Sequence, residues 1–183
     1  MTTPPTRSTR SPGRARRHVV AKVDDIPDGE RLIVEVGGRS IGVFNIRGTF
    51  HALLNRCPHN GAALCEGPLT DVVRAERPGQ TTFDESRVLV QCPWHGWEFD
   101  IETGRSYTDP ERSRVRRYGS VVAPGPDVRE LVAIGEVGDA VTPQPTVPGP
   151  IHRTLVRERS ARPPAAERID VAVDDDYVVV TLR

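Results

Sequence analysis

Residues 49–61 read TFHALLNRCPHNG, and residues 87–96 read RVLVQCPWHG. Each stretch begins as a short apolar run and breaks into a cysteine, a proline, a histidine and a glycine. The first gives Cys57-Pro58-His59-Asn60-Gly61 and the second Cys92-Pro93-Trp94-His95-Gly96. A brief apolar run that ends in such breakers reads as a β-strand. Both Cys/His pairs are therefore expected on loops, each delivered by a strand.

The residues around these stretches continue the same pattern. Arg31 to Val36 and Arg39 to Ile46 flank Gly37-Gly38, and a Gly-Gly pair between apolar runs signals a hairpin because both residues accept the positive φ of a twist-compatible turn. Arg47-Gly48 predicts a second tight turn into Thr49 to Leu54, which leads directly to Cys57. His18 to Val23 predicts one more strand upstream. Between the two pairs, Leu69 to Ser86 holds Pro78, Gly79 and several charges, and reads as a surface excursion of mixed turn structure. The 183 residues include 17 prolines and 16 glycines with only 5% aromatics, which favours short strands over long packed helices. The expected fold class is all-β.

The ends differ from the middle. Residues 1–17 carry Arg7, Arg10, Arg14, Arg16 and Arg17 among Pro4, Pro5 and Pro12 with no acid, a composition that predicts a disordered Arg-rich tail. Arg16-Arg17 is not followed by the apolar stretch of an export signal. Residues 124–167 are crowded with prolines and read as an insertion or linker, with a short helix after Asp127 suggested by the Asp127/Glu130 capping pattern. Residues 168–183 predict a C-terminal hairpin, Arg168 to Val173 against Tyr177 to Leu182, that completes the domain begun at residues 18–123.

Basic and acidic residues balance at 25 each, so no global field draws the chain to nucleic acid or an anionic membrane. No apolar run approaches the ~18 residues that a spanning helix needs. The 3 cysteines are too few for a disulfide framework, which leaves thiols for metal in a reducing compartment. A soluble, cytoplasmic protein is expected.

Two Cys/His pairs make a four-ligand set. On chemistry alone it suits tetrahedral zinc, or a pair of sulfide-bridged irons with two terminal ligands each. The Pro and Gly flanks repeated at both halves favour the iron pair. Gly61 and Gly96 let amide N–H groups approach sulfur at positive φ, while Pro58 and Pro93 stiffen the loops.

The runs NRCPHNGAALCEG, residues 55–67, and QCPWHGWEFDIETG, residues 91–104, resemble the Rieske family, and in particular Rieske ferredoxins and the Rieske domains of ring-hydroxylating oxygenases. The resemblance covers roughly His18 to Val122. It implies an antiparallel β-sandwich or barrel with a small cluster-binding subdomain, from Cys57 to about Tyr107, and one [2Fe–2S] cluster. It assigns Cys57 and Cys92 to one iron and His59 and His95 to the other, as cofactor-binding and metal ligands alike. The chain departs from the pattern in three ways. The interval from His59 to Cys92 is about twice the usual one. Trp94 stands where respiratory members place a disulfide cysteine, so Cys65 has no partner there. Trp97 and Phe99 replace a Ser and a Tyr that donate to the cluster. Fewer donors destabilise the more negative reduced state, so the expected potential lies near the low end of the ~ −150 to +300 mV span.

The resemblance also bounds function. An oxygenase needs a second iron on two histidines and a carboxylate, whereas His18, His51 and His152 are scattered. No catalytic residue is assigned. The expectation is a ferredoxin-like electron-transfer protein, fed by a flavin reductase and serving an oxygenase or other oxidoreductase. A non-catalytic subunit permanently bound to an enzyme, or a redox sensor, is the alternative. Trp94 and Trp97 read as cover for the cluster, and Asp109-Pro110 as part of a third covering loop.

Overall fold

The computed structural model describes residues 15–133, 142–144 and 174–182. Its strands are β1 (Arg16–Lys22), β2 (Arg31–Val36), β3 (Arg39–Ile46), β4 (Thr49–Leu54), β5 (Leu69–Arg77), β6 (Gln80–Gln91), β7 (Glu98–Asp100), β8 (Arg117–Pro124), β9 (Thr142–Gln144) and β10 (Asp176–Leu182), with one helix, α1 (Gly125–Ala133). They form a seven-stranded sheet in the order β1-β10-β8-β4-β3-β2-β9 and a three-stranded sheet β5-β6-β7, with every pairing antiparallel. The all-β expectation holds.

The larger sheet curls on itself. One core takes Val20 from β1, Val34 and Val36 from β2, Ile41 and Val43 from β3, Ala52 from β4, Tyr118 from β8 and Val178 and Val180 from β10. Strands from both ends of the order thus share one interior, the geometry of a nearly closed barrel. The two turns read from glycine are present. Val36 pairs with Arg39 across Gly37-Gly38, and Ile46 with Thr49 across Arg47-Gly48, where φ is +53° and +75°.

Four expectations need correction or restriction. The segment Leu69 to Ser86 is no irregular excursion, because β5 and the first half of β6 pair from Val72↔Asp84 to Arg77↔Gln80 around Pro78-Gly79. It escaped detection because, beyond Val72, the ribbon's residues are exposed, Asp84 alone being half-buried. Its apolar residues, Val73 and Phe83 among them, stay on the surface, so the alternation of burial that reveals a half-buried strand is missing. Upstream, β1 starts at Arg16, so the last two residues assigned to the tail lie in a strand paired with Leu182 and Thr181. In the proline-rich segment, α1 starts at Gly125 rather than after Asp127 and buries Val128 against Val19, Tyr177 and Val179, while Thr142–Gln144 adds a strand to β2. Residues 168–173 lie outside the described residues; β10 has β1 on one edge and β8 on the other, so both its edges are occupied along Tyr177–Thr181.

A second core lies beneath the smaller sheet: Phe44 and Leu53 from the barrel meet Leu64, Leu69, Val88, Val90, Phe99, Ile101 and Val115, together with Cys57, Cys65 and Cys92. The Cys/His loops stand on this core.

Candidate metal centre

The two loops close in the same way. Cys57 N–H donates to Ala62 C=O at 2.8 Å and Gly61 N–H to Cys57 C=O at 2.8 Å. Cys92 N–H donates to Trp97 C=O at 2.7 Å and Gly96 N–H to Cys92 C=O at 3.0 Å. Each loop is a five-residue knot that begins at a cysteine and ends at a glycine in the left-handed region, with φ of +79° at Gly61 and +70° at Gly96. A side chain at either glycine would strain the bond that closes the loop. The identical bonding frame absorbs the different Cys-to-His spacing, two residues in one loop and three in the other.

The loops are tied to each other and to the barrel. Gln91 N–H donates to Pro68 C=O at 2.9 Å, and the Arg31 guanidinium, itself buried, reaches Gly67 C=O. Gly67 lies so close to the second loop that a Cβ there would sit 1.7 Å from the Gln91 carbonyl oxygen. Asn55 accepts from Cys65 N–H at 2.7 Å and donates to Ser40 Oγ at 3.2 Å. Cys65 packs on Gly42, where a Cβ would come within 2.5 Å of its own. Burial pushes the Cys65 thiol up to about 12, so it stays protonated and serves as packing.

The structure brings all four predicted residues together, in two pairs. Cys57 and Cys92 are buried at 1% and 2% exposure, and their side chains are within hydrogen-bonding reach of each other. Burial and the neighbouring Cys92 raise the Cys57 thiol, whereas the N–H groups of His59 and Asn60, which donate to its sulfur, act in the opposite direction. The imidazoles of His59 and His95 are exposed, with ring centroids 4.9 Å apart. Among the described residues no three Cys, His, Asp or Glu side chains gather around a single point. Thiol therefore faces thiol and imidazole faces imidazole, the division that a two-iron core uses and a single tetrahedral ion does not. The amides aimed at sulfur suit an anionic sulfur centre.

Trp97 lies parallel to His59, with centroids 4.6 Å apart and planes 7° from each other, and continues to buried Phe99 at 6.4 Å. Trp94 stands edge-on to His95 at 6.2 Å and is 60% exposed, so it covers little of what it touches. Arg114, Val115 and Arg116 share a cleft with Leu54 and residues 56–61.

A sequence profile of the Rieske [2Fe-2S] domain matches residues 16–119. The chain belongs to the Rieske family. Family membership brings one [2Fe–2S] cluster, which the loop geometry fits. The ferredoxin component of the naphthalene 1,2-dioxygenase/salicylate 5-hydroxylase systems of Ralstonia sp is 30% identical over 98 residues, 54% of this chain and 79% of the relative. Apoptosis-inducing factor 3 of Mus musculus is 36% identical over 94 residues, 51% of this chain but 13% of that longer protein. Among solved structures, the ferredoxin of carbazole 1,9a-dioxygenase from Nocardioides aromaticivorans IC177 superimposes with a TM-score of 0.44 at 28% identity, over 59% of this chain and 90% of that one.

Asp100 is a supporting residue that sequence reading passed over. Its Oδ1 accepts from Thr103 N–H at 2.7 Å and Thr103 Oγ1 at 2.8 Å, and its Oδ2 from Arg87 Nε at 3.0 Å and Nη2 at 2.9 Å. It fixes the turn after β7, the strand that leaves the second loop, and ties it to β6. The run Asp100 to Gly104 carried the signal, an acid three residues before a threonine at a turn that ends in glycine. No helix among the described residues is long and apolar enough to cross a membrane.

Proposed function

We propose that the protein is a Rieske ferredoxin-like carrier of single electrons, with Cys57 and Cys92 holding one iron of the cluster and His59 and His95 the other. The observation that carries this reading is the polarity of the site: both thiols are buried on the second core, and both imidazoles are exposed. The bound cluster supplies a one-electron couple. The chain's own residues do the rest. The knotted loops fix four ligand positions in advance, so little rearrangement accompanies a change of charge. Amides of His59 and Asn60 meet charge on the Cys57 sulfur, and the buried core beneath excludes water from the thiolate side. His59 and His95, both exposed, remain as the route to a partner, with Trp94 beside His95 and Trp97 against His59.

By likeness to the Ralstonia sp ferredoxin component of a dioxygenase system, the acceptor is an oxygenase or another oxidoreductase, and the carrier role calls for a reductase, such as a flavin reductase, as donor. That Cys57, Cys65 and Cys92 form no disulfide supports the reading that the protein works in a reducing compartment such as the cytoplasm. The test is a redox titration of the anaerobically purified protein followed by EPR. A single one-electron wave in the lower half of the ~ −150 to +300 mV Rieske range is expected. A colourless protein that binds stoichiometric zinc, or a wave in the upper half, would reject the carrier reading or its account of the potential, respectively.

A further inference from the structure

The cleft beside the first loop is lined by Arg56, Arg114 and Arg116 along residues 57–61, and no carboxylate lines it. Three cations in one cleft stand out in a chain whose acids and bases balance. Their placement is built into the backbone. Leu54 N–H donates to Arg116 C=O at 2.9 Å, and Arg105 bridges to Arg114, so this segment is held extended against the end of β4. In extended backbone alternate residues share a face. Val115 is buried at 3%, which turns Arg114 and Arg116 outward together. Arg56 comes from the first loop itself and lies over Gly61. His59 lines the same cleft, stands 4.9 Å from His95, and His95 meets exposed Trp94 at 6.2 Å. Basic cleft, imidazole edges and an exposed aromatic therefore form one continuous strip.

We propose that this strip is the docking face for a redox-partner protein whose own docking face is acidic. The inference rests on the carrier reading above and adds the chemistry of the partner. Carboxylates around the partner's redox centre would pair with Arg56, Arg114 and Arg116, and Trp94 would supply the apolar contact at the edge. Arginine suits the role because its planar fork can bind a carboxylate with two hydrogen bonds. Clustered charge at the exit point also steers encounter, so association becomes dependent on salt.

Reoxidation of the reduced holoprotein by two one-electron oxidants of opposite charge tests this. Ferricyanide takes one electron to become ferrocyanide, and hexaammineruthenium(III) takes one to become the ruthenium(II) ion. The ferricyanide rate is expected to fall about tenfold or more between ~0.01 M and ~0.5 M ionic strength, with the ruthenium rate rising over the same interval. The triple variant Arg56→Gln/Arg114→Gln/Arg116→Gln should lose that dependence, the corresponding triple Lys variant should keep it, and Arg77→Gln at the far turn of the β5–β6 hairpin should behave as wild type. Poly-L-glutamate should compete at low salt. Rates indifferent to probe charge and salt, or unchanged in the triple Gln variant, would overturn the acidic-partner inference while leaving a competent carrier. Stronger competition by duplex DNA than by poly-L-glutamate would overturn it in favour of a nucleic-acid face. A protein whose reduced signal never forms refutes the carrier reading, and this inference with it.

Discussion

Replacing Asp100 by alanine should loosen the second cluster loop from behind, without touching a ligand. The carboxylate is 4% exposed as a residue and accepts four hydrogen bonds, two from Thr103 and two from Arg87. The Arg87 side chain is 42% exposed, so water replaces much of what it loses, and that half is worth about 1 kcal/mol. The Thr103 half is part-buried and charge-assisted, made by two bonds to one carboxylate oxygen, and is worth about 2 kcal/mol. Asp100→Ala should therefore cost about 3 kcal/mol. Asp100→Asn keeps an acceptor for Thr103 but turns an amide toward the guanidinium, and should cost about half as much. The pH dependence has a definite sign. Burial alone would raise the Asp100 pKa, yet the Thr103 donors and Arg87 outweigh it and hold it below the ordinary carboxylate value. A depressed folded-state pKa contributes stability above the unfolded value, about 3.9, that is lost as pH falls through the folded one. The gap between wild type and Asp100→Asn should thus be full at neutral pH and shrink below about pH 4. Anaerobic urea denaturation, followed by far-ultraviolet circular dichroism and by cluster absorbance, measures both. A loss under about 0.5 kcal/mol in Asp100→Ala at neutral pH, the range of ordinary surface substitutions, would refute the reasoning.

Three other substitutions probe the framework. Gly67→Ala places a methyl group against the Gln91 carbonyl, and because backbone cannot yield as a side chain does, it should cost about 3 kcal/mol and lower iron content per chain; Gly67→Ala with full iron occupancy would count against the packing. Cys65→Ala should leave the visible spectrum unchanged and cost about 1 kcal/mol of packing, and in the folded native protein Cys65 should resist iodoacetamide at pH 8, since its thiol titrates at about 12. Replacing residues 74–82 with a two-residue turn should preserve iron content and shift stability by less than about 1 kcal/mol, because that part of the β5–β6 ribbon is exposed throughout; loss of the cluster would show that the ribbon supports the site.

What the sequence revealed depended on whether burial imposed a period. Arg31 to Leu54 was readable strand by strand because one face fills the barrel and two glycine-bearing turns punctuate it. The four Cys and His positions were readable because their chemistry needs short loops with glycine behind them. The β5–β6 ribbon was not, since strands that bury neither face carry no alternation. The short β9 was hidden for another reason: three residues in a proline-rich run leave too little pattern, and their pairing with β2 is decided by a distant strand edge. Gly67 was missed as a support because its importance comes from Gln91, far away in sequence, whereas Asp100 carried a local signal in Thr103 and Gly104 and only its tie to Arg87 was non-local. The basic cleft was likewise invisible, as Arg56 and Arg114 are brought together only by the seam between β4 and the segment before β8.

The assignment of the four ligands is tested most directly by the EPR spectrum of the dithionite-reduced protein, recorded beside those of His59→Cys and His95→Ala. The ligand pairing predicts a single cluster signal in the native protein that is shifted or lost in both variants. An unchanged signal in both would contradict it.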